Sequence, residues 1–101
     1  MLRGLKQLLP TASTETSLFD GTQTESYEVT IDICNQDTLG TTFQIRHRLL
    51  GAPTDTKQFL YYDRPVGGNE TIRLSPIGLS PGDILTVYTP GAYVAFHGYV
   101  E

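Results

Sequence analysis

The stretch TIRLSPIGLSPGDILTVYTPGAYVAFHGYVE, Thr71 to Glu101, decides the fold class of this chain. Its strand-like runs are separated by Pro81-Gly82 and Pro90-Gly91, which mark chain reversals because proline fixes φ while glycine allows positive φ. The β-branched and aromatic residues of the runs fit a pleated, half-buried sheet. We therefore predict a three-strand meander, with upstream residues supplying the second sheet that covers its apolar face.

Two upstream runs alternate apolar and polar residues with the period of a strand that has one buried face. They span Ser26–Cys34 and Thr41–Leu49, and we expect them to pair as a hairpin. The fold class is therefore all-β, a single antiparallel β-sandwich or jelly-roll-like domain over residues 17–101. The residues predicted to form its core are Tyr27, Val29, Ile31, Ile33, Phe43, Ile45, Leu74, Leu85, Val87, Val94 and Phe96.

Length and composition agree with a single all-β domain. The chain has 101 residues, and ten Gly and six Pro place turn signals along it. The net charge is −4, and the seven Lys and Arg are scattered apart from Arg46-His47-Arg48, so nucleic acid is not expected as a partner. Apolar runs are too short to span a membrane, and the single cysteine, Cys34, permits no internal disulfide.

Residues 1–16 are expected to form an N-terminal arm outside the sandwich domain. Leu2, Leu5, Leu8 and Leu9 have the spacing of one side of a short helix, which nine residues cannot maintain alone in water. The segment is therefore either disordered or ordered by packing on its own domain or on a neighbouring subunit. Because exposed apolar clusters mark interaction surfaces, we predict that the four leucines become ordered and buried against another subunit only in a larger assembly.

A second predicted interface lies in Lys57–Asp63, where four consecutive large residues exceed what one face of a strand can bury. Such a strand is either interior or in contact with a subunit. Phe59, Tyr61 and Tyr62 are the expected contact residues, since aromatic side chains are enriched at interfaces. We therefore expect a homo-oligomer that uses this strand as a contact.

No constellation of residues in the sequence indicates catalysis, a cofactor or a metal. His47 and His97 are the only histidines and form no ligand motif, so His47 is interpreted as a half-buried residue hydrogen-bonded to a neighbouring strand or subunit. Asp83 follows Pro-Gly and is interpreted as a turn-stabilising residue. Cys34 falls on the polar face of its strand by parity. We therefore predict that the protein is not an enzyme.

A series of short motifs follows one another in a recognisable order. The series comprises Ser17-Leu-Phe19, Ile33-Cys-Asn35, Thr42-Phe-Gln-Ile-Arg46, Tyr61-Tyr-Asp63, Asn69-Glu-Thr71, Leu79-Ser-Pro-Gly-Asp83, Val87-Tyr88 and Gly98-Tyr-Val-Glu101. It resembles a group of small tailed-bacteriophage virion proteins that share an "ICN" strand, a "YYD" strand, an "L-x-x-GD" turn and an ending close to "FGVE". This chain has Asp20-Gly-Thr22 where that group has a "VPAG"-type turn, and His97 before the final Gly.

The resemblance implies a structural protein of the virion. One form is a capsid cement or decoration subunit that binds the major capsid protein, and the other is a small tail, baseplate or fibre-associated component. Because the resembling proteins form symmetric components of the particle, we expect the homo-oligomer to be a trimer. The competing class is a host-surface binding module whose loops at residues 35–40, 50–56 and 64–70 would recognise a carbohydrate or protein. Those loops contain no aromatic residue, which favours the structural role.

Overall fold

Nine β-strands and two short 3₁₀ turns make up the computed structural model, which describes residues 2–101. The strands are β1 (Arg3–Leu8), β2 (Thr16–Asp20), β3 (Tyr27–Asn35), β4 (Thr41–Arg48), β5 (Phe59–Val66), β6 (Thr71–Arg73), β7 (Ile77–Leu79), β8 (Ile84–Tyr88) and β9 (Val94–Val100), and the 3₁₀ turns are Leu49–Gly51 and Thr56–Gln58. Two antiparallel sheets pack face to face as a β-sandwich. The five-stranded sheet has the order β1-β9-β3-β6, with β7 also paired to β3, and the four-stranded sheet has the order β2-β8-β4-β5.

The core lies between the two sheets and is built from the inward-facing side chains of alternating positions. The predicted core residues are all buried except Tyr27, which is half-buried and packs against the cluster. Phe43 and Phe96 meet edge to face across the sandwich, with ring centroids 6.4 Å apart. The core also takes in residues that strand parity had not selected, namely Leu18, Phe19, Val66, Ile77, Leu79 and Val100.

The predicted meander at residues 71–101 is wrong, although its strands exist. β6 and β7 both pair with β3, β8 lies in the four-stranded sheet, and β9 lies in the five-stranded sheet. The turn at Pro90-Gly91 therefore carries the chain from one sheet to the other. Thr89, fully buried, holds this crossing because its hydroxyl donates to the Thr42 carbonyl at 2.8 Å and accepts from the Gly91 amide. Strand periodicity identifies the buried face, but it does not identify the neighbouring strand.

The predicted hairpin between β3 and β4 is also wrong, because β3 belongs to the five-stranded sheet and β4 to the four-stranded sheet. The loop at residues 36–40 bridges the two. Asn35, buried at the end of β3, fixes this bridge: its side-chain amide donates to the Leu39 carbonyl at 2.9 Å and to the Gly67 carbonyl at 3.1 Å. The chain therefore passes between the sheets through a loop that is held by this buried side-chain amide, and it does not form the tight turn of a hairpin.

The N-terminal segment is a strand rather than a helix or a separate arm. Residues 3–8 form β1, which pairs antiparallel with β9. The backbone groups along the edge of β9 form hydrogen bonds with this segment. The segment is more stable as this strand than as a helix, because an isolated helix of nine residues is only marginally stable in water. Of the alternatives for the arm, packing on its own domain is the one observed. The expectation that the segment is ordered only in an assembled particle is wrong.

β5 is an edge strand, so the interior placement considered for Lys57–Asp63 is wrong. Tyr61 faces the core and packs on Phe43 with ring centroids 6.0 Å apart, whereas Leu60 and Tyr62 are exposed. A bulge in the pairing with β4 accounts for Leu60, which lies between the paired residues Phe59 and Tyr61. Subunit contact remains a prediction for this strand.

Candidate interaction surface

The β5 edge does not offer a regular strand for another chain to pair with. Its register against β4 shifts twice, Asp63 has a left-handed backbone (φ 50°), and Pro65 has no amide to donate. Bulges, charges and proline are the devices by which edge strands avoid sheet extension. A partner that binds here must therefore recognise side chains rather than complete the sheet.

The outer face of β5 carries an aromatic pair. The rings of Phe59 and Tyr62 meet edge to face at 4.9 Å, and the Arg46 guanidinium lies 4.3 Å from the centre of the Phe59 ring. Arg46 also pairs with Glu15 at 3.5 Å, and Glu15 accepts a hydrogen bond from the hydroxyl of Thr86. Arg46 thus fixes Phe59 from one side, and Tyr62 remains 64% exposed at the rim of the sheet.

Beside this edge, the first 3₁₀ turn presents two leucines to solvent at the end of β4. Leu49 is 63% exposed and Leu50 is 80% exposed. Leu50 has φ 50° and ψ 34°. This left-handed conformation raises the free energy of any residue that has a Cβ by about 1–2 kcal/mol. Gly51 also has positive φ, at 70°. An exposed leucine held in a strained conformation is an unusual feature at the surface of a folded domain.

Buried polar groups hold this turn in place. The carboxylate of Asp83, which is buried, accepts hydrogen bonds from the Leu50 amide at 2.9 Å, from the Ser80 amide at 3.0 Å and from His47 Nε2 at 2.9 Å. On the other side, Arg48 Nε donates to the Ala52 carbonyl at 2.7 Å. Burial raises the pKa of Asp83, but the hydrogen bonds from Leu50, Ser80 and His47 outweigh it and leave that pKa below its usual value.

These contacts bear on two interpretations from the sequence. His47 is half-buried as predicted, but its hydrogen-bond partner Asp83 lies in the turn before β8 rather than in a neighbouring strand or subunit. Asp83 stabilises its own turn, as predicted, by accepting from the Ser80 amide. Asp83 in addition holds the Leu50 turn, which lies 33 residues away in the chain. No local pattern in the sequence couples these two segments, so this link could not be predicted.

The surface formed by residues 46–64, which we call the β4–β5 surface, differs in charge from the rest of the molecule. Four of the seven cations lie in it (Arg46, Arg48, Lys57 and Arg64), with only two of the eleven carboxylates (Asp55 and Asp63). It also contains four of the eight large apolar side chains that are exposed in residues 2–101, namely Leu49, Leu50, Leu60 and Tyr62. This range therefore combines exposed apolar side chains with cations, of which Arg46 is ion-paired to Glu15.

The N-terminal leucines lie on the opposite side of the sandwich from the β4–β5 surface. β1 runs beside β2, and β2 is the edge of the four-stranded sheet farthest from β5. Leu8 is half-buried and packs against the core, Leu2 is half-buried, and Leu5 and Leu9 are exposed. The structure thus does not bring the two predicted contact groups together.

The end of the sandwich opposite the Leu50 turn gathers three loops around one aromatic residue. The Gln36 amide donates to the Tyr93 carbonyl and the Asn69 amide to the Asp37 carbonyl, each at 2.8 Å. These bonds join the loops at residues 36–40, 67–70 and 89–93. Tyr93 is 56% exposed there, and Leu39 is 73% exposed. The loops named from the sequence contain no aromatic residue, but the fold brings Tyr93 beside two of them.

The outer face of the five-stranded sheet carries a polar row that includes the second histidine. Arg73 makes a two-pronged ion pair with Asp32 at 2.7 and 2.8 Å, and this hydrogen-bonded pair lowers the pKa of Asp32. His97 lies opposite Asp32 on the neighbouring strand and stacks on Tyr99. Cys34, half-buried, lies on this face as strand parity predicted.

Residues 2–101 contain no group of three His, Cys, Asp or Glu side chains that could hold a metal ion.

Comparison of the chain with protein-family models, curated proteins and solved structures gave no match. Across residues 2–101, no helix has the length and apolar character needed to cross a membrane.

Proposed function

We propose that the protein is a non-enzymatic structural subunit of a tailed-bacteriophage particle, a cement or decoration protein that binds the major capsid lattice and stabilises it. The observation that carries this proposal is the β4–β5 surface, where Leu49, Leu50, Leu60 and Tyr62 are exposed among cations on an otherwise acidic molecule. Exposed apolar clusters with a polar rim mark protein contacts. The order of motifs that resembles small virion proteins supports the major capsid protein as the partner.

The edges of the two sheets support a subunit that docks as a preformed body. Edge strands β1, β2 and β5 all have register irregularities, and β6 and β7 are only three residues long. Irregular and short edges resist uncontrolled strand addition. A protein present in many copies on a lattice benefits from such protection, because its contacts then depend on side-chain complementarity at defined sites.

Copy number and a binding variant test this proposal together. Mass spectrometry of purified particles should find the protein at hundreds of copies relative to the major capsid protein, whereas a few dozen or fewer would indicate a tail or baseplate component.

Tyr62→Ser should weaken binding of the purified protein to particles from which the protein is absent, because the substitution removes the most exposed aromatic ring of the surface. Tyr93→Ser is the matched control at the other end of the sandwich. Equal binding by wild type and Tyr62→Ser would contradict the assigned surface.

A second candidate, a host-surface binding module, is favoured by one observation. Tyr93 is exposed where three hydrogen-bonded loops meet, and an exposed ring on a rigid loop platform suits recognition of a sugar or a protein. In that case Tyr93→Ser should reduce adsorption of particles to host cells without changing the amount of protein in the particle. Unchanged adsorption would remove this candidate.

A further inference from the structure

We propose that the β4–β5 surface receives a glutamate side chain of the major capsid protein in a cavity between the end of β4 and the second 3₁₀ turn. The cavity has a volume of about 390 Å³, and the residues that line it are His47, Leu49, Ala52, Lys57 and Gln58. Its volume lies within the range of pockets that bind small ligands. The inference rests on the proposed function and deepens it by naming the chemical group that this surface recognises.

Hydrogen bonds fix the wall of the cavity that the second 3₁₀ turn forms. The Gln58 side chain accepts from the Asp55 amide at 2.8 Å and donates to the Pro53 carbonyl at 2.8 Å. The Asp55 carboxylate accepts in turn from the Lys57 amide at 3.3 Å, and these bonds form a capping box. The backbone that carries Lys57 is therefore ordered in the isolated protein, so a partner does not have to order it on binding.

His47 and Lys57 bring the polar groups to the cavity. Nε2 of His47 donates to the buried carboxylate of Asp83, which also accepts from the amides of Leu50 and Ser80, so the imidazole ring is held in one orientation. No hydrogen bond within residues 2–101 uses Nδ1 of His47, and this nitrogen donates to an anion when the ring is protonated. Lys57 is exposed and adds an ammonium group with further donors. This set of donors suits a carboxylate.

The charges around the cavity leave Lys57 available to a partner. Neither Lys57 nor Arg48 forms an ion pair within residues 2–101, and no carboxylate of the same residues lines the cavity. Arg46, by contrast, is ion-paired to Glu15 and is not part of the lining. Asp55 is close in the chain, but its carboxylate accepts from the backbone amide of Lys57 rather than from the ammonium group. A carboxylate of the partner would therefore supply the ion pair that Lys57 lacks.

The apolar part of the lining favours glutamate over other side chains. Leu49, which is 63% exposed, and Ala52 lie beside the polar groups. The methylene groups of a glutamate would cover these two residues while its carboxylate meets Lys57. An apolar side chain in the cavity would bury the nitrogen atoms of Lys57 and His47 without a partner, and a basic side chain would meet a like charge.

The first test reverses the charge of each of the two lysines of the chain, Lys57 and Lys6, both of which are exposed. Lys57→Glu should weaken binding of the purified protein to particles from which the protein is absent about tenfold to a hundredfold, because the partner's glutamate would meet a like charge. Lys6→Glu, on β1, changes the net charge equally but away from the cavity, and it should leave binding unchanged. Circular dichroism should show that both variants are folded.

This comparison separates the inference from the proposed function. Wild-type protein that binds such particles, together with equal affinities of the Lys57→Glu and Lys6→Glu variants, would overturn the inference. Wild-type protein that does not bind the particles would instead contradict the proposed function.

The second test uses the isolated protein, so its outcome does not depend on particles. The probe is N-acetyl-glutamate N-methylamide at millimolar concentration, and the matched control is the uncharged N-acetyl-glutamine N-methylamide. The glutamate probe should shift the NMR signals of the His47 ring and of the Leu49 methyl groups, whereas the glutamine probe should not. Lys57→Gln should remove these shifts. Absence of shifts in the wild type, equal shifts with the two probes, or shifts that persist in Lys57→Gln would overturn the inference.

Discussion

The carboxylate of Asp83 accepts a hydrogen bond from the backbone amide of Leu50 at 2.9 Å, and this contact holds a leucine in the left-handed conformation at the surface. The same carboxylate accepts from Ser80 and from His47, so one buried charge joins the end of β4, the Leu50 turn and the turn before β8. A buried carboxylate is stable when all its hydrogen-bonding capacity is used. Asp83 therefore connects the core to the surface on which the proposed function depends.

Replacing Asp83 should destabilise the protein. In Asp83→Asn the side-chain NH₂ group can no longer accept, so at least one of the donors on Leu50, Ser80 and His47 loses its partner. We expect a loss of about 1–3 kcal/mol at neutral pH, measured by urea unfolding. Glu28→Gln, at an exposed position of β3, is the control and should change stability little. Equal stabilities of Asp83→Asn and the wild type would show that the three hydrogen bonds do not stabilise the fold.

The same variant should change the dependence of stability on pH. The pKa of Asp83 is lower in the folded protein than its ordinary value of 3.8, so the ionised carboxylate stabilises the fold fully above that value. This contribution is lost as pH falls through the folded-state pKa. Asn does not titrate, so the difference in unfolding free energy between wild type and Asp83→Asn should become smaller below pH 3.8. A difference that stays constant down to strong acid would contradict the assignment.

Truncation of the core should be costly at Ile31, whose side chain is fully buried in β3. Ile31→Ala should reduce the free energy of unfolding by about 2–5 kcal/mol, because it removes buried methyl groups and leaves a cavity. Denaturant unfolding measures this change. A loss of about 0.5 kcal/mol or less, as is usual for surface substitutions, would mean that the register of β3 is wrong.

Two glycines provide a matched pair for the loop end of the sandwich. A Cβ on Gly68 would clash with the Thr38 carbonyl oxygen, whereas a Cβ on Gly78 would meet nothing within 4 Å. Gly68→Ala must therefore separate the loops at residues 36–40 and 67–70, and we expect it to cost about 1–3 kcal/mol. Gly78→Ala should be close to neutral. Similar melting temperatures for the two variants would show that these loops are not packed as described.

Removal of β1 should destabilise the isolated protein. Deleting residues 2–8 exposes the edge of β9 and uncovers the core residues against which Leu8 packs. We expect a lower melting temperature and increased aggregation, because a long regular edge strand would then be open. The sequence had instead indicated an arm outside the sandwich domain, and loss of such an arm would leave folding unchanged. Unchanged thermal stability of the truncated chain would support that earlier interpretation.

Strand parity predicted the core well because burial on one face is a local property of the sequence. Val29, Ile31 and Ile33 repeat with a period of two, and all three are fully buried. The pairing of strands was not predictable in the same way. β3 and β4 are consecutive alternating runs, yet they lie in different sheets, and the bridge depends on Asn35, whose partners include a carbonyl 32 residues away.

The candidate surface was predicted only in part, because some of its features depend on where strands end and on contacts between residues distant in the chain. Consecutive large residues at 59–62 were visible in the sequence and identified the exposed side chain of Tyr62. Leu49 instead continued the apolar face of β4 by parity, but the strand ends at Arg48 and leaves Leu49 in solvent. The left-handed conformation of Leu50 depends on Asp83, and no local pattern relates these two residues.

A density map of the intact particle, at a resolution that shows side chains, would locate the protein and its contacts. We expect one sandwich at many equivalent positions on the capsid surface, with Leu49, Leu50, Leu60 and Tyr62 against the major capsid protein. Particles whose capsid and tail density contain no such sandwich would contradict it, and so would a sandwich whose β4–β5 surface faces solvent.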